Sequence, residues 1–194
     1  DMIGVSRPIV KHSFTVDKQE NIARIVKEAF HIATSGRQGP VVIDVPKDLT
    51  NPDDLFDFNY PSKANIRSYN PPTKPENHQV ARAVDAILAA ERPVIYAGGG
   101  TIASNASDEL RELNELIDFP VTNTLMGLGV YPGTGKRFLG MLGMHGTYQA
   151  NMAMHNADLI IAVGARFDDR ITNTPEKFAP VSYTHLRAHE TCLD

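Results

Sequence analysis

Arg166, Phe167, Asp168, Asp169 and Arg170 follow almost directly on an uninterrupted apolar run, Leu159 to Val163, that stops at Gly164. An arginine in such a place can grip phosphate or carboxylate through two parallel hydrogen bonds. The plainer reading is a solvated salt-bridge cluster of little energetic worth. Two glycine turns are placed similarly. Gly98-Gly99-Gly100 follows an apolar run and would let backbone approach a ligand closely, although it lacks the Gly-x-Gly-x-x-Gly fingerprint of dinucleotide sites. Gly143-Met144-His145-Gly146 is a second tight turn, in which His145 either stacks on a ring or is simply a hydrogen-bonded polar side chain. Arg37, in a Ser-Gly-Arg-Gln-Gly-Pro loop, reads by itself as a loop arginine, and Lys11-His12 carries no signal alone. His185 and His189 stand at i, i+4 with Cys192 following. That spacing imitates a metal site, but the surrounding tail lacks the apolar strand that the preceding order demands, and no metal is expected.

These residues need a scaffold. Residues 1–16 read as a loop and a strand interrupted by Pro8, and Asp17 with Glu20 resembles a capping box. Ile22, Ile25, Val26, Ala29, Phe30 and Ala33 then follow helical spacing, with Gly36 as the C′ residue. Residues 40–46 predict a buried strand. From Leu49 to Pro75 the composition turns to Pro, Asn, Asp, Ser and Tyr without periodicity. At about 25 residues this is too long for an ordinary connection and reads as a linker lying over the surface. Further on, Asn77 can cap a helix with the face Val80, Val84, Ile87 and Leu88. Pro93 to Ala97 is a strand, and Ser107 opens a helix with the face Leu110, Leu113, Leu116 and Ile117. Pro120 to Leu125 is a strand, and a glycine-rich loop leads on to a short helical piece and the Leu159–Val163 run. Helices alternating with unpatterned apolar strands predict an α/β fold with a parallel sheet covered on both faces. Ligands of such sheets sit outside the carboxyl ends of the strands, where both glycine turns and the Arg166–Arg170 cluster fall.

The totals set limits. A chain of 194 residues with 42% hydrophobic content can bury a core, and a net charge of −4 carries no basic footprint for nucleic acid. No apolar run approaches the roughly 18 residues that span a bilayer, and no basic-then-apolar leader is present. The single Cys192 fits a reducing, cytoplasmic setting. The start at Asp1, with a packed segment almost at once, reads as a piece of something longer.

Taken together, several stretches resemble the large subunit of the acetohydroxyacid synthase (acetolactate synthase) family, which depends on thiamine diphosphate. They are KHSFTV (11–16), EAFHIATSGRQGPVVIDVPKD (28–48), YAGGG (96–100), TLMGLGVYP (124–132), the run 141–170 and the EKF after it. The resemblance implies that residues 1–49 end a pyrimidine-binding domain and that 50–75 form a linker. It further implies that 76–180 form a central FAD-binding domain of the transhydrogenase-domain-III-like type. Arg37 resembles a flavin-contacting arginine of that family. Gly99, Thr124, Leu125, Leu142, Gly143, Met144, His145, Gly164, Ala165, Arg166, Phe167 and Asp168 match its flavin-lining positions. Met144 and Arg170 match residues facing the substrate, Arg170 resembling the arginine that selects the second 2-keto acid, and Lys47 matches a lysine at the channel mouth.

The implied reaction is decarboxylation of pyruvate followed by carboligation to a second 2-keto acid, on the route to branched-chain amino acids. FAD there takes no part in redox turnover. A homodimer and a regulatory small subunit are the implied partners. The family's catalytic glutamate and its Mg²⁺-binding Gly-Asp-Gly motif have no counterpart among these residues, so activity is expected of a longer parent and not of this chain. Residues 181–194 (VSYTHLRAHETCLD) do not resemble the family and read as a frame or junction artefact. Other readings are a glyoxylate carboligase or pyruvate oxidase sharing the same middle domain, or a stand-alone module binding NAD(P) or acyl-CoA.

Overall fold

The computed structural model describes residues 1–72, 74–172, 174, 177–180 and 184–188. It divides into two compact units, one built on Asp1–Lys74 and the other on Pro75–Glu190.

In the first unit a short helix α1 (Met2–Ser6) replaces the expected loop. The Asp1 carboxylate accepts the Gly4 N–H at 2.8 Å, and this cap stabilises a helix too short to declare itself by periodicity. Strand β1 (His12–Thr15) pairs in parallel with β2 (Val41–Asp44), His12 opposite Val41 and Phe14 opposite Ile43. Helix α2 (Ile22–Thr34) connects them and buries Ala23, Ile25, Ala29 and Ile32. Its buried stripe is therefore rotated from the expected one, and Phe30 stands out in solvent. The capping box does not form: Asp17 accepts instead from the Asn21 side chain at 2.7 Å, and α2 starts after it. Gly36 does occupy the left-handed region, at φ 56°, just past the helix end. Strand β2 is half-buried throughout, not fully buried as its apolar sequence suggested, because a two-stranded sheet flanked by α2 and the short α1 leaves part of it open. Between residues 51 and 76 the described residues form no helix or strand. Lys27 lies over the Tyr60 ring at 4.9 Å, which ties that segment back to α2.

The second unit is a five-stranded parallel sheet. Its elements in chain order are α3 (Asn77–Ala89), β3 (Pro93–Ala97), α4 (Gly99–Ala103), α5 (Ser107–Ile117), β4 (Val121–Asn123), β5 (Phe138–Met141), α6 (Tyr148–Asn156), β6 (Leu159–Val163), α7 (Asp169–Thr172) and β7 (Thr184–Ala188). The spatial order is β5-β4-β3-β6-β7, so the chain works outward from β3 to β5 and then returns to the other side of β3. Alternate residues of β3 and β6 feed two cores. Val94, Tyr96, Ile160 and Ala162 pack on one face with Met154 and Leu142; Ile95, Ala97, Leu159 and Ile161 pack on the other with Leu110 and Val130. Burial on both faces is why neither strand alternates in sequence.

Other departures are local. Strand β5 was read as loop; it is half-buried, at the sheet edge, and holds Gly140 at φ 91°. Glu76, not Asn77, stands at the N-cap of α3. That helix turns Ala86, Ile87 and Ala90 beyond its end toward the sheet and leaves Val80, Val84 and Leu88 exposed. Leu116 of α5 is likewise exposed, while Asn114 is buried in its place. The Asn114 side chain accepts the Phe119 N–H at 3.1 Å and donates to the Tyr131 hydroxyl at 3.0 Å, which satisfies a polar group inside the core. After Pro180, where no apolar strand is apparent in the sequence, β7 pairs in parallel with β6, Leu159 opposite Thr184 and Val163 opposite Ala188. An edge strand with one neighbour is held by backbone pairing and does not require an apolar run. His185 lies in that strand, so the helical spacing of the histidines does not hold there; His189 and Cys192 lie outside the described residues.

Candidate functional site

Parallel strands point their carboxyl ends the same way, so the segments after β3, β4, β5 and β6 gather along one edge of the sheet. Gly98–Gly100 follows β3, Thr124–Gly127 follows β4, Leu142–Gly146 follows β5 and Gly164–Asp168 follows β6. The strand order reverses between β3 and β6, and such switch points are where open α/β sheets form a crevice.

At that point the two glycine segments interlock. The Gly98 N–H donates to the Val163 carbonyl at 2.8 Å, the Gly100 N–H to the Gly164 carbonyl at 3.0 Å, and the Thr101 hydroxyl to the Val163 carbonyl at 2.9 Å. A β-carbon on Gly98 would fall 2.1 Å from the Gly164 oxygen, and one on Gly164 would fall 2.3 Å from the Thr101 nitrogen. These glycines therefore serve loop-to-loop packing before any ligand is considered.

The charged cluster is not a salt-bridge network. Among the described residues neither the Arg166 nor the Arg170 guanidinium has a carboxylate within 4 Å, and both residues are exposed. Asp168 works as a helix cap: its carboxylate accepts the Arg170 N–H at 3.1 Å, and its carbonyl accepts the N–H groups of Ile171 at 3.1 Å and Thr172 at 2.9 Å. Phe167 packs against the buried Tyr96 ring at 5.4 Å and against Phe178 at 5.8 Å. Burial raises the Tyr96 phenol above its ordinary range, and the nearby Asp168 charge adds to this, so the tyrosine stays protonated.

The other segments supply apolar surface. Leu125, Met126 and Leu128 after β4 and Met144 after β5 are all exposed, as is Tyr148 at the start of α6. His145 is exposed too. Met144 and Arg170, the pair matched to substrate, are brought together: the Met144 N–H donates to the Arg170 carbonyl at 3.3 Å, and Gly143 abuts Ile171. Leu142 and Ala165 are buried in the core, so those two positions can offer a ligand only their backbones. Asn151 fixes the turn by bonding both the N–H and the carbonyl of Gly143 at 3.1 Å. At the end of β4 the Asn123 Oδ1 and Thr124 Oγ1 are buried with no hydrogen-bond partner among the described residues. Sequence reasoning did not single out Met126, Leu128 or Asn123 as site residues; the available signal was an apolar, glycine-containing loop directly after a strand.

Arg37 and Lys47 belong to the first unit. Arg37 is exposed on the loop after α2, and Lys47 is exposed at the start of a 3₁₀ turn after β2. A cavity of about 220 Å³ in the second unit lies along α6, lined by Met154, His155, Ile171, Lys177 and Phe178 among others; of the expected flavin-lining positions it touches only Leu142. Among the described residues no three His, Cys, Asp or Glu side chains are grouped to hold a metal ion, and no helix is long and apolar enough to cross a membrane.

The family model of the thiamine pyrophosphate enzyme central domain matches residues 80–190. The chain belongs to that family. Among its relatives, the acetolactate synthase large subunit of Buchnera aphidicola subsp. Acyrthosiphon pisum is 57% identical over 180 residues, covering 93% of this chain and 32% of the relative. The large subunit from Haemophilus influenzae is 51% identical over the same length, covering 93% of this chain and 31% of the relative. The acetolactate synthase isozyme 3 large subunit of Escherichia coli is 52% identical, with the same coverages. The chain thus spans about a third of the length of the curated relatives it matches. Its parallel α/β architecture is consistent with a thiamine pyrophosphate enzyme central domain.

Proposed function

We propose that the second unit is a transhydrogenase-domain-III-like module holding FAD along the carboxyl edge of its sheet. The observation that carries this reading is the juxtaposition there of exposed apolar side chains with two arginines that lack ion partners among the described residues. Leu125, Met126, Leu128 and Met144 suit a flat ring, and Arg166 suits an anionic group. Thr124 Oγ1 and Asn123 Oδ1 add two orphaned polar atoms at the same edge, a pattern that invites a partner from outside the protein. The residues present in the second unit therefore fit a flavin nucleotide, with Gly99, Leu142, Gly143, Gly164 and Ala165 contributing backbone and His145, Phe167 and Asp168 flanking it; for Arg37, in the first unit, a flavin contact is what the family resemblance alone implies. FAD would supply a structural wedge here and no redox step.

We further propose that the whole protein is an acetolactate synthase, decarboxylating pyruvate and joining the remaining unit to a second 2-keto acid. The identities to three large subunits support this over a glyoxylate carboligase or pyruvate oxidase. In that protein Arg170 would hold the carboxylate of the second keto acid and Met144 would wall its side chain; for Lys47, in the first unit, a place at a channel mouth is what the family resemblance alone implies. Among the described residues no three His, Cys, Asp or Glu side chains are grouped to hold Mg²⁺, and no chemical step is assigned to this chain. A homodimer, a regulatory small subunit and a cytoplasmic location follow from the same reading, and the tail 181–194, which the family model's match enters as far as residue 190, is proposed to diverge from the family.

A competition assay tests the cofactor reading. FAD bound to the chain resists displacement by NAD(P) or acyl-CoA; ready displacement by either would favour the stand-alone nucleotide module. With pyruvate, thiamine diphosphate and Mg²⁺ added, the chain should release no acetolactate, and its formation would overturn the assignment of catalysis to a longer protein.

A further inference from the structure

The cavity along α6 lies wholly within the second unit and shares only Leu142 with the expected flavin-lining positions. Its floor is apolar: Leu142, Met154 and Ala179 are buried, and Ile171 and Phe178 are half-buried beside them. Its lip is polar. His155, from the last turn of α6, lines it together with Thr174 and Lys177, which follow α7. The Lys177 N–H donates to the Thr174 carbonyl at 2.9 Å, so those two residues belong to one turn. Among the described residues no Asp or Glu lines the cavity, and the side chains of His155, Thr174 and Lys177 have no hydrogen-bond or ion partner. Asn151 also lines it but has no donor to offer, because its amide donates to the Gly143 carbonyl at 3.1 Å and to the Thr147 carbonyl at 2.9 Å.

An apolar floor beneath a cationic lip is the complement of an aliphatic acid. The Lys177 ammonium carries three rotatable donors, and the imidazole N–H of His155 and the Thr174 hydroxyl add two more. Hydrogen bonds from a charged donor to a carboxylate are the short, strong kind. The unbranched thioether of Met154 can adapt to an alkyl chain laid over it. At about 220 Å³ the cavity falls below the range of pockets that hold drug-sized ligands. With about 30 Å³ for a water-sized group, it has room for about seven such groups. We propose that this cavity binds a short aliphatic carboxylate, with about five carbons behind the acid group. Lys177, His155 and Thr174 hold the acid, and the chain lies over Met154, Leu142 and Phe178. A phosphate or other fully polar anion would leave that floor without a partner. The inference is independent of the flavin reading.

The test titrates hexanoate into the full chain with its methionine methyl groups labelled with ¹³C, read by nuclear magnetic resonance. The Met154 methyl signal, assigned through Met154→Leu, should shift saturably with a Kd on the order of a millimolar or tighter. Met126 and Met144, at the carboxyl edge, should not move. Lys177 is exposed, so its variants keep the fold. Lys177→Met should weaken binding on the order of tenfold, and Lys177→Arg should retain most of it. Acetate, which lacks the chain, should bind at least about tenfold more weakly, as should hexanol, which lacks the charge. No saturable shift at Met154 in the folded chain would overturn the site. Shifts at Met126 or Met144 in its place would overturn its location. Unchanged affinity in Lys177→Met, or hexanol binding as tightly as hexanoate, would overturn recognition of the acid group. FAD added to the same labelled chain reports at Met126 and Met144, so the flavin reading stands or falls separately.

Discussion

Replacing Gly98 by alanine tests the interlock at the switch point with little interference from backbone conformation. Gly98 has φ −122°, which any residue adopts, so the whole cost is steric. The new β-carbon would meet the Gly164 oxygen at 2.1 Å and the Ala165 Cα at 2.6 Å, both backbone atoms that no rotamer change can move. The segment after β6 must therefore shift, which for an overpacked interior costs about 1–3 kcal/mol. The shift also strains the hydrogen bonds from Gly98 to Val163 and from Gly100 to Gly164, each worth roughly 1 kcal/mol. With about half of that bond energy lost, the total is about 2–4 kcal/mol, or a fall in Tm of roughly 10 °C for a unit of this size. Gly133→Ala is the control, since a β-carbon there meets nothing within 4 Å; it should be neutral or stabilising by up to about 1 kcal/mol. Thermal unfolding followed by circular dichroism reads both. A folded Gly98→Ala protein melting with the Gly133→Ala control would refute the interlock.

Three further outcomes follow from the same structure. Asn114→Ala leaves the Phe119 N–H and the Tyr131 hydroxyl without their shared partner, and denaturant unfolding should show a loss of about 1–3 kcal/mol. Thr147→Ala removes the N-cap that accepts from Ala150 at 3.1 Å and donates to the Leu139 carbonyl at 2.5 Å, so stability should fall by about 1 kcal/mol, read by the same method. Burial alone would raise the Asp158 carboxyl, but the Glu91 and Arg92 N–H groups at 2.8 and 2.9 Å outweigh it and hold the carboxyl below its ordinary value of 3.8. A depressed folded value means that the stabilisation is present above the unfolded value and lost as pH falls through the folded one. Asp158→Asn should therefore flatten the acid limb of a stability–pH profile below pH 4, and an unchanged slope there would exclude the mechanism.

Strands β3 and β6 were legible because burial on both faces leaves an unbroken apolar run with a glycine stop. The carboxyl-edge placement of the site segments followed from that order alone. Strand β5 was not legible: Gly140 in a left-handed conformation and a position at the sheet edge leave no pattern to read. The helix faces were half legible. Spacing reports which residues share a side, not how wide a neighbour covers it, so Phe30, Val80, Val84, Leu88 and Leu116 satisfied the period and still lie in solvent. The buried Asn114 was invisible for the opposite reason, since its partners Phe119 and Tyr131 come together only through the fold. Lys11 looked uninformative for the same reason: its acceptors are backbone carbonyls and a distant tyrosine hydroxyl, none with a sequence signature.

FAD binding at the carboxyl edge of the second unit, through Arg166 and its apolar surround, is the proposal on which the functional reading turns. Titration of FAD into the purified chain, followed by flavin fluorescence, with Arg166→Ala in parallel, tests it most directly. Loss of hydrogen bonds from a charged group costs about 1.5–3 kcal/mol, so the account predicts saturable binding weakened by roughly one to two orders of magnitude in the variant. A folded chain that shows no saturable binding, or an Arg166→Ala chain that binds as tightly as wild type, would contradict it.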